Sequence, residues 1–290
     1  MIRSTSKFIV QLQFGLVSCT AFLLIGAIAT RAEGSRGSAP SALLLTSSGS
    51  QTQTGANAGA SPADKIPAGT ILPVVLRSSF SMSKAKAGEQ LHGNIAQDVP
   101  LGNGAVIHKG AKVEGHIVDV TPNTNAAGEK VKVQFDKVYM NGQWVPVVTD
   151  LRAIAGFMTV IEAGVPVQAP GEGDVYNWLT KEQIGGDTDY GVGGPVQSAD
   201  SSKIIGKYTG NGAVGQVTAR EGTKCRGPVD NNNNPQALWA FSSGACGAYG
   251  IEHLQIEHAG RTDPVGTIVL ASDAQNVKLR DGDGLLLRVN

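Results

Sequence analysis

The side chains best suited to chemistry gather in IEHLQIEH at Ile251 to His258, which supplies two Glu-His pairs. Imidazoles and carboxylates are zinc ligands and proton carriers, so His253, Glu257 and His258 are the candidates for a hydrolase or metalloenzyme centre. Their spacing opposes that reading. A strand places His253 and His258 on opposite faces, and a helix separates an offset of five by well over a hundred degrees, so neither supplies the paired histidines of a zinc site. A polar strand or surface turn accounts for the segment.

Two other stretches offer oxygen ligands, DNNNNP at Asp230 to Pro235 and DGDG at Asp281 to Gly284. Calcium accepts such groups, but neither stretch is closed by a bidentate Glu. Asp, Asn and Gly tolerate left-handed backbone, which makes turn formation a sufficient reason for both. FSSGACG contains Ser242 and Ser243 without the GxSxG phrase of a nucleophile elbow. Gly191 to Gly194 lacks the following helix and Lys of a phosphate cradle. HAGRTDPVG at His258 to Gly266 reads as a loop pinned by internal hydrogen bonds. No catalytic residue, metal ligand or cofactor is assigned.

Three aromatic residues, Trp178, Tyr190 and Trp239, are the candidate ligand-binding residues, since indole and phenol rings offer stacking faces to a carbohydrate. Cys19 lies in an N-terminal apolar run, leaving Cys225 and Cys246 as an even pair. If the chain is exported these two form a disulfide; the other reading is two separate buried thiols. Closing a loop of about 20 residues adds roughly 3 kcal/mol by loop entropy.

The elements that position these residues are mainly strands. Glycine is abundant at 38 residues and aromatics are few at 5%, while Val, Ile and Thr fall in short runs, which favours turns and strands over long helices. Formal net charge is zero with a pI near 7.0, so there is no broad basic surface and nucleic acid is not expected as a partner. Residues 1–29 read as a signal peptide or membrane anchor. Arg3 and Lys7 precede the apolar run, Ala27 and Ala29 offer a cleavage site, and LVSC at Leu16 to Cys19 offers lipidation. Residues 30–63, rich in Ser, Gly, Ala, Thr and Gln, read as a flexible linker with a reach of about 30 Å.

Two β-rich regions follow, 64–150 and 151–290, the second either separate or completing the same unit as the first. Leu91, Ile95 and Val99 share one face of a strand, and Val131, Val133 and Phe135 share one face of another. A bulge is expected at Asp136 to Val138 and a type I′ hairpin at Asn141-Gly142. Leu151 to Val167 suits helix or strand equally. Ala169 to Pro195 reads as a long surface excursion, and a hairpin spans TGNG after Tyr208. The last two strands, Asn276 to Arg280 and Leu285 to Val289, are expected to form a hairpin across DGDG.

IPAGT at Ile66 to Thr70, KAGEQLHGNIAQDV at Lys86 to Val99 and IHKGAKVEGHI at Ile107 to Ile117 together resemble the C-terminal domain of TrbI-type proteins. VKLRDGDGLLLRV at Val277 to Val289 is similar to that family's closing strands. Ala87 and Gly88 stand where the family has Pro-Gly. The resemblance implies a modified β-barrel, a membrane-proximal N-terminus with a linker, and ring-forming self-association in an envelope scaffold of type IV secretion.

The sequence therefore leads to a mainly β fold, a modified barrel or sandwich with a loop-rich, disulfide-bearing excursion. It leads to a non-enzymatic protein of the periplasm or cell envelope, with a role in assembly or interaction. Its expected partners are envelope proteins or further copies of itself, with membrane contact through the N-terminal segment if that is retained as an inner-membrane anchor. A secreted carbohydrate-binding module is the second reading and a hydrolase or metalloenzyme the third.

Overall fold

In a computed structural model, the described residues are 65–102, 104–122, 128–167, 180–199, 202–218, 225 and 234–290. All fall in one compact unit, Ala56 to Asn290. The signal or anchor, the linker, Cys19, Trp178 and the DNNN portion of DNNNNP lie outside the described residues.

Nine strands precede the helix: β1 Ile71–Leu76, β2 Phe80–Ser81, β3 Gln90–Ile95, β4 Val99–Pro100, β5 Val106–Ile107, β6 Lys112–Thr121, β7 Glu129–Met140, β8 Gln143–Pro146 and β9 Thr149–Ala155. The helix α1 spans Phe157–Gly164. After it come β10 Thr180–Glu182, β11 Thr188–Tyr190, β12 Pro195–Gln197, β13 Ile204–Tyr208, β14 Ala213–Gly215 and β15 Gln236–Trp239. The chain closes with β16 Gly247–Tyr249, β17 Leu254–Glu257, β18 Ile268–Ser272, β19 Lys278–Leu279 and β20 Gly284–Val289. Leu151 to Val167 thus contains both candidate structures: strand to Ala155, then helix from Phe157.

The larger sheet runs β16-β9-β20-β1-β3-β6-β7-β18-β17, with β8 added on β7. Its two ends, β16 and β17, are consecutive in the chain, and the sheet curls into a nearly closed barrel. The block β1-β3-β6-β7 from 64–150 is flanked on both sides by strands from 151–290, with β1 pairing β20 and β7 pairing β18. Leu72, Val74, Leu91, Ile95, Ile117, Val133, Leu270 and Leu287 fill the interior.

One turn recurs around this barrel. In PAGT, Thr70 N–H donates to the Pro67 carbonyl at 3.2 Å and Gly69 sits at φ 85°. KAGE repeats it through Glu89 to Lys86 with Gly88 at 84°, HKGA through Ala111 to His108 with Gly110 at 88°, and RDGD through Asp283 to Arg280 with Gly282 at 94°. A positive φ at the third position is what type II turns require and what glycine supplies without steric cost. In each case the glycine N–H reaches a carbonyl across the turn: Val289, Ile117, Ile95 and Leu76 respectively. These turns launch β1, β3, β6 and β20. PVGT at Pro264 to Thr267 is a fifth, ahead of β18, whose Gly266 N–H goes instead to Thr262 Oγ1 at 2.7 Å.

The DGDG segment was expected to join two paired strands, and the pairing is otherwise. β19 pairs β2 through Lys278 with Ser81 and Leu279 with Phe80, while β20 lies between β1 and β9. The physical reason is that the turn is tied outward. Gly282 N–H donates to Leu76, and Asp283 accepts from Arg280 N at 2.7 Å and Phe157 N at 2.8 Å, so no strand folds back on its predecessor.

The bulge and hairpin lie where the pattern places them. Glu114 faces Lys137 but Gly115 faces Phe135, leaving Asp136 as the extra residue of β7. Asn141 at φ 50° and Gly142 at 82° make the two-residue turn from β7 to β8.

The smaller sheet is an antiparallel meander, β10 to β15 in order. It replaces much of the surface excursion expected for Ala169 to Pro195: from Thr180 onward this stretch is three short strands with Asp187, Asp189 and Val196 buried. Three-residue strands separated by Gly and Asp carry too little alternation to be read as strands. Their burial comes from the barrel. Ile184, Val196, Ile205, Leu238 and Phe241 pack on the outer-face residues Ile71, Ala153, Ala155 and Leu286. That second layer is why β9 and β20 are buried at every position. The opposite side of the barrel is solvated, and cross-strand ion pairs line it, among them Lys130 with Glu257 at 2.7 Å and Lys137 with Glu114 at 2.8 Å.

Candidate functional site

A recess of about 80 Å³ opens between α1 and the smaller sheet. Lys181 and Asp189 face each other as a register pair of β10 and β11, Tyr208 comes from β13 and Trp239 from β15, and Val160 and Ala163 of α1 supply the apolar side. Period-two alternation puts Asp189 on the covered face and its neighbour Tyr190 on the other.

The smaller sheet supplies the polar side chains of the lining. Lys181 Nζ lies 3.2 Å from Tyr208 Oη and 5.0 Å from the centre of that ring, a hydrogen bond with a cation-π contact. Gln183 is 3% exposed; its Nε2 donates to the Trp239 carbonyl at 3.4 Å, while its buried Oε1 has no hydrogen-bond partner. Asp189 is also 3% exposed, and its Oδ1 is likewise buried without a partner. Burial pushes the Asp189 carboxyl up from 3.8 to about 6, opposed by the Lys181 charge and by hydrogen bonds to the Gly191 and Lys181 backbone.

The frame around the recess is braced from the barrel. Gln97, fully buried in the link between β3 and β4, accepts from Trp239 N at 2.6 Å and donates to the Ala213 carbonyl at 3.0 Å. Trp239 itself has a φ of 52°, and its ring centre lies 6.2 Å from that of Phe241.

Of the two aromatics read as stacking platforms that fall within the described residues, Trp239 lines this recess. Tyr190 is exposed on the opposite face, with its hydroxyl 3.1 Å from Gln197 Oε1. Trp239 is partly buried and packed as a wedge on the barrel, so it forms a wall and not a free stacking face. The residues that sequence reasoning passed over are Lys181, Gln183, Asp189 and Tyr208. Three lie in what read as an excursion, where strands of three residues leave too little alternation to signal them.

The remaining candidates resolve into structure. His253 and His258, at φ 63° and 57°, flank β17; His253 Nδ1 lies 2.9 Å from Asp273 Oδ1, and Glu257 is paired with Lys130. Among the described residues no group of three or more His, Cys, Asp or Glu is placed to hold a metal ion. Ser243 donates through N and Oγ to Asp187 Oδ2, both at 2.7 Å, and Ala199 N donates to Asp187 Oδ1, so that buried carboxylate is satisfied within the fold. Thr262 donates through N and Oγ1 to the buried Asp150, which pins the HAGRTDPVG loop to β9. Cys225 and Cys246 are disulfide-bonded, consistent with an oxidising compartment.

A second feature is the outer surface of α1, none of whose residues is buried. Met158 is 60% exposed, and Phe157, Ile161, Val165 and Val167 are exposed beside it. Between α1 and the Gln183 to Gly186 turn runs a cleft of about 610 Å³, walled by Thr159, Glu162, Glu182 and Tyr249. Among the described residues no helix is long and apolar enough to cross a membrane. No protein-family model matches the chain, and no curated protein matches it.

Proposed function

We propose that the chain is a non-enzymatic, exported protein of the cell envelope that acts in assembly or interaction through a TrbI-like β domain. The observation that carries this reading is the exposed apolar run on and after α1, Phe157, Met158, Ile161, Val165 and Val167, gathered on one short element. Apolar patches of this kind mark interaction surfaces. Val160 and Ala163 pack the helix onto the fold, which leaves the exposed side chains of Met158 and Ile161 to serve a contact. The Cys225–Cys246 disulfide supports export, and the five glycine turns that launch barrel strands extend the IPAGT phrase on which the family likeness rests.

The partner is a further copy of the chain or another envelope protein, with residues 1–29 as signal peptide or inner-membrane anchor. Native mass spectrometry and negative-stain imaging of the full chain test this. Oligomers or an envelope complex, dissolved by Met158→Asp, are expected; a strictly monomeric chain without an envelope partner contradicts it.

A further inference from the structure

The recess beside Asp189 is not needed for an assembly role, and its chemistry points elsewhere. Asp187 and Asp189 lie two residues apart and are both buried. The fold surrounds Asp187 with donors from Ser243 and Ala199, yet leaves Asp189 Oδ1 and the adjacent Gln183 Oε1 without one. A buried acceptor left unpaired costs about 1–3 kcal/mol, and here the two side chains that carry one both line the same small recess.

We infer that this recess is a binding site for a neutral polyhydroxyl ligand, a sugar or polyol, which inserts one vicinal diol between Asp189 and Gln183 on one side and Lys181 and Tyr208 on the other. Each hydroxyl donates one hydrogen bond and accepts others. The two orphan acceptors take the donated protons, and the Lys181 ammonium, which spends one N–H on Tyr208 Oη, is the donor at the same recess; Tyr208 Oη, which itself donates to the Gly210 carbonyl at 3.4 Å, takes part as an acceptor. Charge selects a neutral guest. Asp189 repels an anion, while the Lys181 ammonium already stands by the carboxylate and repels a second cation. Size selects a diol edge: about 80 Å³ accepts two hydroxyls and their carbons but not a whole sugar ring. The ring stays at the mouth, beside Ala163 and Gly164 of α1. This inference is independent of the assembly reading, and neither outcome of its test bears on the α1 surface.

The test is isothermal titration and saturation-transfer NMR of the full chain with glucose, mannose, myo-inositol and glycerol, carried to concentrations that detect millimolar Kd. Saturable binding of at least one probe is expected. Asp189→Asn exchanges a charge-assisted hydrogen bond for a neutral one, and binding weakens about tenfold. Lys181→Met, a substitution at a half-buried position, weakens it similarly and guards against misfolding of the first variant. Trp144→Ala removes an exposed indole of β8 that packs on Tyr139 of β7 and leaves affinity unchanged. The inference is overturned if no probe binds the folded protein, if both recess variants bind like the parent, or if Trp144→Ala abolishes binding. A probe-soaked crystal with only water in the recess overturns it as well.

Discussion

The backbone N–H of Gly69 donates to the carbonyl of Val289 at 2.7 Å, so the first turn of the barrel is fastened to its last strand. The same use of a glycine N–H at Gly88, Gly110 and Gly282 makes these turns the joints of the barrel. Gly88 and Gly110 isolate the conformational component, because a Cβ built at either meets nothing within 4 Å. Gly88→Ala and Gly110→Ala are each expected to lower stability by about 1–2 kcal/mol through the positive φ alone. Urea unfolding measures this. Unchanged midpoints would show that the turns relax freely.

Gln97 joins the two layers. Its amide serves Trp239 N and the Ala213 carbonyl, both in the smaller sheet. Gln97→Ala strands those groups in a buried place and is expected to cost about 2–4 kcal/mol. Hydrogen exchange should show early opening of β14 and β15 while β3 and β6 stay protected. Uniform loss of protection across both sheets would argue against a local brace.

Asp189 makes stability depend on pH in a stated direction. Its carboxyl is raised from 3.8 to about 6 in the folded protein, so between those values the native state binds the proton more tightly than the unfolded chain. The favourable contribution is complete below 3.8 and is lost as pH rises through about 6. Relative to Asp189→Asn, the parent should therefore lose on the order of 2–3 kcal/mol between pH 4 and pH 7. Parallel pH profiles for the two proteins would refute the burial argument.

Removing the disulfide as Cys225→Ser with Cys246→Ser frees a loop closed over a separation of 21 residues. Roughly 3 kcal/mol of stability should go with it by loop entropy. Thermal melts of oxidised, reduced and doubly substituted protein measure the effect, and the last two should coincide.

Much of the barrel could be read from the chain because its strands alternate cleanly. Val131, Val133 and Phe135 are buried and Lys130, Lys132 and Gln134 are not fully so, and the Asp136 bulge and Asn141-Gly142 turn leave local signatures. Three of the glycine turns, PAGT, KAGE and HKGA, lie in the phrases that carry the family likeness, while RDGD reads as a hairpin because pairing across space leaves no local trace. In the smaller sheet the β13-β14 hairpin across TGNG lies where the sequence places it, while β10 to β12 read as an excursion. Those three strands, of three residues each, are too short to show a period, and Asp187 and Asp189 look like loop residues until the barrel covers them. The candidate site was illegible for the same reason, since Trp239 was singled out while Lys181, Gln183, Asp189 and Tyr208 meet only through β-pairing.

The central claim is an exported envelope protein that assembles through α1, and crosslinking mass spectrometry on the fractionated native host tests it most directly. The account predicts the chain in the envelope fraction, Cys225 and Cys246 oxidised, and crosslinks from the α1 region to another copy or to an envelope protein. A reduced, monomeric chain in the cytoplasm, with no crosslinked neighbour, would contradict it.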